Sequence, residues 1–450
     1  MQAKKIAIIG GGLSGTMIAL LLARRADKPQ VILVEKNPEM LGRGVAYHTD
    51  FTHQPLNVVA GGMSIFPDQP DDFVNWLMNN RFRYSHLLSE ISSKTFVPRK
   101  IFGDYVLEHL QKNQHEAAGH FQIRIDQALT MKDHNGKKQI ELESGVKLEV
   151  DEVILALGNF PPADLFDPSD PVNKDPRYFA NPWTDRVYSH INGDENILLV
   201  GSGLTAVDVV LGLFVRGFKG KIKMLSRRGS LPLAHDLSQP AFPVKEPVYA
   251  HPKETFLWTR KLIRDNKQVP WPSIIDGLRV HTQAIWQRWS KEEKKYFLKK
   301  LRPFWEVARH RIPAQSSEIL NTLMKNGNLS VISGEVVKAK SENEGICLKY
   351  RSENKEHEEV FQKVINCTGP ESNYRKVRFP IIASLMDQGK VVNDELGLGI
   401  SCTKEGNLLN ADGVIEKGLW CIGPMRKAVL WETTALREIR EQAADLAERI

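Results

Sequence analysis

The chain has 450 residues, of which 42% are hydrophobic and 26% are charged, and its formal net charge is +7. This length predicts roughly two or three domains, and no apolar run approaches the roughly 20 residues that a membrane-spanning helix needs. The composition is therefore typical of a globular protein and argues against an integral membrane segment. Because two lysines lead directly into a strand and a glycine turn, we predict no signal peptide and a cytoplasmic location.

Positive charge is concentrated in residues 251–311, which contain 15 Lys and Arg against 6 Asp and Glu. Such a segment can bind an anionic ligand, or it can simply be a solvated helical surface. No RNP, zinc-finger or helix-turn-helix pattern accompanies it, so we predict no nucleic-acid binding.

The four cysteines are widely spaced and form no CxxC pair; they are Cys347, Cys367, Cys402 and Cys421. A disulfide scaffold, a metal site and a dithiol redox centre are therefore not predicted. We expect all four to be small buried or half-buried side chains.

A complete βαβ unit opens the chain, with a strand at 5–10, a helix at 16–26 and a second strand at 30–36. Its glycine turn has the GxGxxG spacing, in which the glycines permit a tight turn, approach of a pyrophosphate and close helix–strand packing. The start of the helix directs its amide groups at that pyrophosphate. Glu35 ends the second strand, where a carboxylate can accept hydrogen bonds from ribose hydroxyls. This unit predicts a dinucleotide site.

The middle of the chain is less regular. Residues 36–130 combine irregular and helical pieces, residues 121–158 read as a set of strands, and the Pro- and Asp-rich stretch 161–176 is a candidate linker. Residues 250–325 are mostly helical by pattern. Strands return after residue 330, and a helix ends the chain.

A second βαβ unit has strands at 196–201 and 221–226 and a helix at 207–217. Its turn, GSGLTA, carries alanine at the third position, an accepted variant. The second strand ends in Ser226, Arg227 and Arg228 rather than in an acid, and an arginine there can pair with a ribose 2′-phosphate. We therefore predict that this unit prefers NADPH to NADH. The alternative is a solvated basic turn without a ligand.

The combination resembles flavoproteins in which an NAD(P)H domain interrupts an FAD domain, and more closely a bacterial group of FAD/NAD(P)-binding proteins. The matching segments are GGGLSGTMIALLL, GRGVAYHT, LNVVAGGMSIFPDQPDDFVNWL, FVPRKIFGDYV, VGSGLTAVDVV, LSRRG, FWEVARHRIP, INCTGP and WETTALREIREQAADLA. The resemblance implies an α/β fold with two Rossmann-like domains and the cofactors FAD and NADPH. The FAD domain would be discontinuous, at 1–160 and 331–450. It would enclose an NAD(P)H domain at 161–330 with a helical insertion at about 235–325.

The candidate FAD residues are Gly10, Gly12, Leu13, Ser14, Gly15, Glu35, Lys36, Arg43, Gly44, Asn57, Met63, Ser64, Gly158, Gly423 and Thr433. Arg43 could reach the phosphates, and the segment with Met63 and Ser64 could pack beside the isoalloxazine ring. A helix opening at Glu432 and Thr433 could stabilise negative charge on the reduced flavin. Relatives outside this group usually have Asp where Pro424 stands, which leaves the ribityl contact open. The candidate NADPH residues are Gly201, Gly203, Leu204, Thr205, Arg227 and Arg228.

Several reaction classes fit a flavin and NADPH. The missing cysteine pair argues against a dithiol reductase. The layout favours a monooxygenase-like enzyme, although the FxGxxxHxxx(W/Y/P) fingerprint of N-hydroxylating and Baeyer–Villiger enzymes is absent, and residues 178–186 share only an aromatic residue and a tryptophan with it. An NADPH-dependent dehydrogenase or oxidase, and a non-enzymatic flavin redox sensor, remain alternatives.

No catalytic acid or base stands out. Trp305, Arg309, His310 and Arg311 could form a wall for an anionic substrate group, but a packed helix end is the favoured interpretation. Trp286 and Trp289, three residues apart, are predicted to share one core face. We expect a small-molecule substrate with anionic or aromatic character.

Overall fold

The computed structural model describes residues 3–49, 51–117, 119–189, 194–245 and 251–450. Its strands are β1 (Lys5–Ile9), β2 (Gln30–Glu35), β3 (Phe121–Ile125), β4 (Ala128–His134), β5 (Lys137–Leu142), β6 (Lys147–Val150), β7 (Glu152–Leu155), β8 (Tyr178–Phe179), β9 (Asn196–Val200), β10 (Lys221–Ser226), β11 (Leu329–Ser333), β12 (Glu335–Ser341), β13 (Ile346–Ser352), β14 (Lys355–Phe361), β15 (Lys363–Asn366), β16 (Asn407–Leu409) and β17 (Ile415–Cys421).

The α-helices are α1 (Leu13–Ala23), α2 (Gly44–Tyr47), α3 (Asp72–Asn79), α4 (Arg99–Glu116), α5 (Leu204–Val215), α6 (Pro252–Asp265), α7 (Trp271–Leu278), α8 (Thr282–Arg288), α9 (Lys291–Tyr296), α10 (Arg302–Arg309), α11 (Ala314–Lys325), α12 (Pro380–Asp387), α13 (Lys427–Leu430) and α14 (Leu436–Arg449). None of the helices in the described ranges is both long enough and apolar enough to span a membrane. The predicted helical insertion contains α6 to α11, and its residues 246–250 lie outside the described part of the chain.

The first compact unit comprises the described residues of Met1–Asn159, Thr282–Gln287 and Ser372–Ile450. Its main sheet has the order β16-β17-β7-β1-β2-β3. Strand β1 pairs in parallel with β2 on one side and with β7 on the other. The core of β1 is fully buried, as expected for a parallel strand covered on both faces. A separate antiparallel sheet joins β4, β5 and β6.

The second compact unit comprises the described residues of Phe160–His281 and Arg288–Glu371. Its sheet has the order β11-β10-β9-β15-β8, and its pairs are parallel. The sequence-based division placed residues from 331 onward in the first domain, whereas β12 to β15 lie in this second unit. The physical reason is pairing, because β15 lies between β9 and β8 as a parallel strand.

Both glycine turns lead into their helices earlier than the hydrophobic pattern indicated. Helix α1 begins at Leu13 rather than at residue 16, and α5 begins at Leu204 rather than at residue 207. In each case the preceding glycine, Gly12 or Gly203, is the extended N-cap residue. The first amide groups of both helices therefore directly follow the glycine turn. The two largely parallel sheets with these helices confirm the predicted α/β class with two Rossmann-like units.

Candidate functional site

The first glycine turn is held closed by backbone contacts that exclude side chains. Gly10 has φ +106°, and a Cβ atom there would lie 2.4 Å from the carbonyl oxygen of Ala156. A Cβ atom at Gly15 would lie 1.8 Å from the carbonyl oxygen of Gly10. Both glycines are thus required by the fold itself. Gly12 is less confined, since the nearest atom to its Cβ position is the Cα of Gly44 at 3.2 Å.

The second turn repeats this backbone but leaves one position open. Gly201 has φ +116°, and a Cβ atom there would lie 2.3 Å from the carbonyl oxygen of Cys367. Gly203 is exposed, and no heavy atom lies within 4 Å of its Cβ position. Packing within the unit therefore explains Gly201 but not Gly203, whose missing side chain leaves room beside the N-terminus of α5.

Replacing Gly203 with alanine should affect a bound pyrophosphate far more than the fold. Because alanine is a poorer N-cap than glycine, we expect a stability loss below about 1 kcal/mol. The added methyl group would lie where the backbone must approach a phosphate, so NADPH binding should weaken by about tenfold or more. Chemical denaturation and NADPH titration measure the two quantities.

Gly201→Ala is the matched control, since it changes a glycine of the same turn whose Cβ would clash with the backbone of Cys367. We expect that variant to lose stability and NADPH binding together. If Gly203→Ala bound NADPH as tightly as the parent, the open position would have no role in cofactor binding.

Glu35 is tied to the first glycine turn. It is 8% exposed, and its Oε2 accepts a hydrogen bond from the Gly11 amide at 2.7 Å. Its Oε1 accepts from the Asn37 amide at 3.0 Å. A carboxylate has about four acceptor sites, so two remain for hydroxyl groups. The adjacent Lys36 is exposed, and its Nζ lies 4.9 Å from the centroid of the Phe379 ring.

Arg43 supplies positive charge beside this turn. Its Nη2 donates to Oδ1 of Asp104 on α4 at 2.9 Å, and its neighbour Gly44 lies against Gly12. The Arg43 Nε is buried and has no hydrogen-bond partner among the described residues. Buried donors are rarely left without a partner, so this atom fits an anionic group that approaches the turn. Asp104, 61 residues away in the chain, was not identified from the sequence.

Near residue 60, two other side chains that we predicted to contact FAD are buried inside the first unit. Met63 is 2% exposed and Ser64 is fully buried. The Ser64 hydroxyl donates to the carbonyl oxygen of Phe66 and accepts from its amide, and the Ser64 carbonyl accepts from Arg440. These side chains therefore pack inside the unit, and their contact with a flavin stays a prediction. Asn57 is half-buried.

Two of the predicted glycines lie at strand ends. Gly158, after β7, has φ +66° and no heavy atom within 4 Å of its Cβ position. Gly423, after β17, has φ +81°, and a Cβ atom there would lie 2.7 Å from the hydroxyl oxygen of Ser14 on α1. The end of β17 therefore lies against the N-terminal turn of α1.

A buried polar network holds Gly423. The Thr433 hydroxyl donates to the Gly423 carbonyl at 2.7 Å, and Gln442 joins the Gly423 amide to the Thr433 hydroxyl with bonds of 2.9 and 2.8 Å. The final helix begins at Leu436, so Glu432 and Thr433 precede it instead of opening it as predicted. The reason is that the Thr433 hydroxyl bonds to this network and does not cap a helix. Gln442 could not be identified from the sequence, because its role depends on a partner distant in the chain.

Next to this network the backbone is strained at Trp431. This residue has φ +59° and ψ −66°, and the Glu432 amide donates to the Leu430 carbonyl at 2.7 Å, which closes a γ-turn. Such turns are rare and strained, and they persist where packing enforces them. Here the indole of Trp286 stacks on that of Trp431 with centroids 4.9 Å apart.

Trp286 reaches this turn from the segment Thr282–Gln287, which belongs to the first unit. It is 1% exposed, and its Nε1 donates to the Ala428 carbonyl at 2.8 Å. Trp289 contacts the ring of Phe297 instead. The prediction that Trp286 and Trp289 share one core face was therefore wrong, because the two rings pack against different elements.

In the second unit, the turn after β10 presents the arginine pair. The buried Ser202 fixes this turn, because its hydroxyl is 2.8 Å from that of Ser226 and 2.6 Å from the Ser230 carbonyl. Arg227 and Arg228 are both exposed at the end of the strand. Leu204 and Thr205, at the start of α5, are half-buried.

The cysteines are all buried and free. Cys402 and Cys421 are nonetheless neighbours, a pairing that their sequence spacing did not indicate. The hydrogen bond with Cys421 lowers the pKa of Cys402, whereas burial raises the pKa of Cys421. Because both thiols are buried, they are closed to a dithiol exchange partner.

Two residues of the cluster near residue 310 are paired with carboxylates of the second unit. The His310 Nε2 lies 3.3 Å from a carboxylate oxygen of Glu306, and the Arg311 side chain, 1% exposed, forms an ion pair with Asp276. Among the described residues no group of three or more His, Cys, Asp or Glu side chains could hold a metal ion.

Known proteins resemble part of this sequence and the fold of the whole chain. A family model described as FAD-NAD(P)-binding matches residues 7–160. Residues 7–160 are therefore similar to an FAD/NAD(P)-binding domain. A curated salicylate hydroxylase from Sarocladium schorii is 30% identical over 167 residues, which is 33% of this chain and 34% of that protein. The chain therefore matches about a third of the curated relative's length.

Solved structures resemble the fold along nearly the whole chain. Ornithine hydroxylase from Pseudomonas aeruginosa has a TM-score of 0.66 at 14% identity, covering 99% of this chain and 98% of that one. L-lysine 6-monooxygenase from Pseudomonas syringae has a TM-score of 0.66 at 14% identity, covering 100% and 99%. Bacillithiol disulfide reductase from Staphylococcus aureus has a TM-score of 0.58 at 12% identity, covering 100% and 98%. At such identities the likeness shows the fold, that of flavoproteins with two dinucleotide-binding units.

Proposed function

We propose that this protein is an FAD-dependent, NADPH-using oxidoreductase of the monooxygenase-like type, acting on a small molecule in the cytoplasm. One observation carries the proposal. The same glycine turn occurs twice, with φ +106° at Gly10 and +116° at Gly201. The strand that follows ends in a buried Glu35 in one unit, whereas in the other it ends in Ser226 and two exposed arginines follow directly. A carboxylate suits free ribose hydroxyls and would repel a 2′-phosphate, whereas arginine pairs with it.

In the first unit, the amide groups at the start of α1 and the Arg43 guanidinium would bind the FAD pyrophosphate, and Glu35 would accept from the ribose. The network of Gly423, Thr433 and Gln442 holds the end of β17 against α1, so its role is to position backbone beside the cofactor. When bound, FAD would supply two-electron transfer between nicotinamide and oxygen or substrate, chemistry that no side chain provides.

In the second unit, the start of α5 would bind the NADPH pyrophosphate, with Gly203 leaving the space that the phosphates need. Arg227 and Arg228 would face the 2′-phosphate. This arrangement predicts a preference for NADPH over NADH that depends on charge and is weakened by salt.

The oxygenating reaction is supported by the fold of hydroxylases that act on ornithine and lysine and by the partial match to a salicylate hydroxylase. Its balance is one NADPH, one proton and one O2 for each oxygen atom inserted, with the other oxygen atom leaving as water. We propose a small molecule of anionic or aromatic character as the substrate.

Anaerobic mixing of the flavin-loaded protein with NADPH or NADH tests the proposal. We expect flavin absorbance to fall much faster with NADPH, because only NADPH carries the phosphate that the arginines bind. Reduction by neither nucleotide would overturn the enzymatic function and favour a flavin-binding sensor.

Subsequent mixing with oxygen distinguishes the reaction classes. In a monooxygenase-like enzyme without its substrate, hydrogen peroxide should appear with a lag behind oxygen consumption. Peroxide that appears together with oxygen consumption would favour an oxidase, and slow oxygen consumption beside fast quinone reduction would favour a dehydrogenase.

A further inference from the structure

The two arginines at the end of β10 differ in what surrounds them. The Arg228 guanidinium lies over the ring of Phe304, with its Cζ 5.1 Å from the ring centroid. The Arg227 side chain has no hydrogen bond, ion pair or ring contact within the described part of the chain. The Arg227 backbone carbonyl accepts a hydrogen bond from the Ser333 hydroxyl at 3.1 Å.

The ring that contacts Arg228 comes from the helical insertion. Phe304 lies on α10 and is 52% exposed. Its other ring contact is Phe256 on α6, with centroids 5.8 Å apart, and the Arg260 Cζ lies 5.9 Å from the Phe256 ring centroid. Phe304 is thus held by the insertion while one part of its surface meets Arg228.

A guanidinium that lies over an aromatic ring is held in fewer conformations than a free one. Arginine has a long side chain, and fixing it on binding opposes affinity. A cation–π contact with the ring removes part of that loss before the ligand arrives and leaves N–H groups available. The planar fork of N–H groups then matches a phosphate.

We infer that Phe304 is a positioning residue for Arg228, and that this pair, rather than Arg227, determines the preference for a ribose 2′-phosphate. The inference rests on the proposed NADPH site in the second unit. It adds a residue of the helical insertion to that site, and it divides the roles of two neighbouring arginines that the sequence could not distinguish.

Isothermal titration of the full chain with 2′,5′-ADP and 5′-AMP tests the inference without any redox reaction. Hydrogen bonds between charged groups predict that Arg228→Ala weakens 2′,5′-ADP binding by about tenfold or more. Phe304→Ala should weaken it by about three- to tenfold, the size expected for ordering one long side chain. Both variants should bind 5′-AMP almost as the parent does, so their preference for 2′,5′-ADP falls.

Aromatic rescue separates positioning from a structural role. Phe304→Tyr should retain the parent preference, whereas Phe304→Leu, which keeps an apolar side chain without a π face, should behave like the alanine variant. Phe214→Ala is the matched control, because Phe214 is another exposed phenylalanine of the second unit, 41% exposed. That control should change the preference by less than about threefold, and Arg227→Ala should lose less of the preference than Arg228→Ala.

The outcomes distinguish this inference from the proposed function. If the parent protein does not bind 2′,5′-ADP more tightly than 5′-AMP, the NADPH site itself is wrong. If the parent shows the preference but Phe304→Ala keeps it, the role of Phe304 is overturned. If Arg227→Ala loses as much of the preference as Arg228→Ala, the division of roles between the two arginines is overturned, and in both cases the NADPH site stands. Thermal unfolding of each variant confirms that the loss is not one of folding.

Discussion

Replacing Gly15 with alanine is expected to yield a protein that is purified without FAD and is less stable than the parent. The Cβ atom would lie 1.8 Å from the Gly10 carbonyl oxygen and 3.3 Å from the Ala156 Cβ. The first of these neighbours is backbone and cannot rotate away, so α1 must move relative to β1. Overpacking of this kind lowers the free energy of unfolding by about 1–3 kcal/mol or more. It would also displace the amide groups that should face the pyrophosphate.

Two measurements check this prediction, the flavin-to-protein absorbance ratio after purification and urea denaturation. Gly203→Ala is the matched control, because it changes a glycine of the equivalent turn whose Cβ position is open. The control should retain FAD as the parent does. If Gly15→Ala had the same FAD content and stability as the parent, the packing of the first turn would not be needed for FAD binding.

Replacing Trp286 with alanine is expected to lower the free energy of unfolding by about 3–5 kcal/mol, the range for truncating a large buried aromatic residue. The variant loses the stack on Trp431 and leaves the Ala428 carbonyl without its donor. The γ-turn at Trp431 then lacks the packing that enforces it. Because Thr433 follows two residues later and bonds to Gly423, we also expect weaker FAD binding.

Urea denaturation and FAD titration of the apoprotein measure the two effects separately. Trp286→Phe should retain most of the stability and FAD affinity, since it keeps a stacked ring and loses only the N–H donor. Trp289→Ala, which removes a half-buried ring that contacts Phe297, should leave FAD affinity unchanged. If folded Trp286→Ala bound FAD as tightly as the parent, the γ-turn at Trp431 would have no role in FAD binding.

The location of both glycine turns could be predicted from the sequence because their causes are local. A tight turn between strand and helix needs glycine at particular positions within six residues, and the identity of the residue at the end of the next strand follows from counting. For the same reason Glu35 and the Arg227–Arg228 pair were recognised before any contact was known. Helix starts were placed about three residues late, because the apolar run that marks each helix begins only after its N-terminal turn.

Other parts of the site depend on residues far apart in the chain. Asp104 meets Arg43 across 61 residues, and Trp286 meets Ala428 across 142. No periodicity or motif predicts such partners, since they meet only when separate elements pack. The assignment of β15 to the second sheet has the same origin, because a strand of four residues joins whichever sheet offers it two neighbours.

The sequence by itself determined that this chain has two dinucleotide-type turns, one followed by a carboxylate and one by arginines, because short-range sterics and charge decide those features. Only the tertiary structure decided which glycines serve the fold and which leave space for a ligand, since that depends on what lies within a few ångströms of an absent side chain. It likewise decided which arginine of the pair is held, because the ring that holds Arg228 comes from a helix more than 70 residues later in the chain.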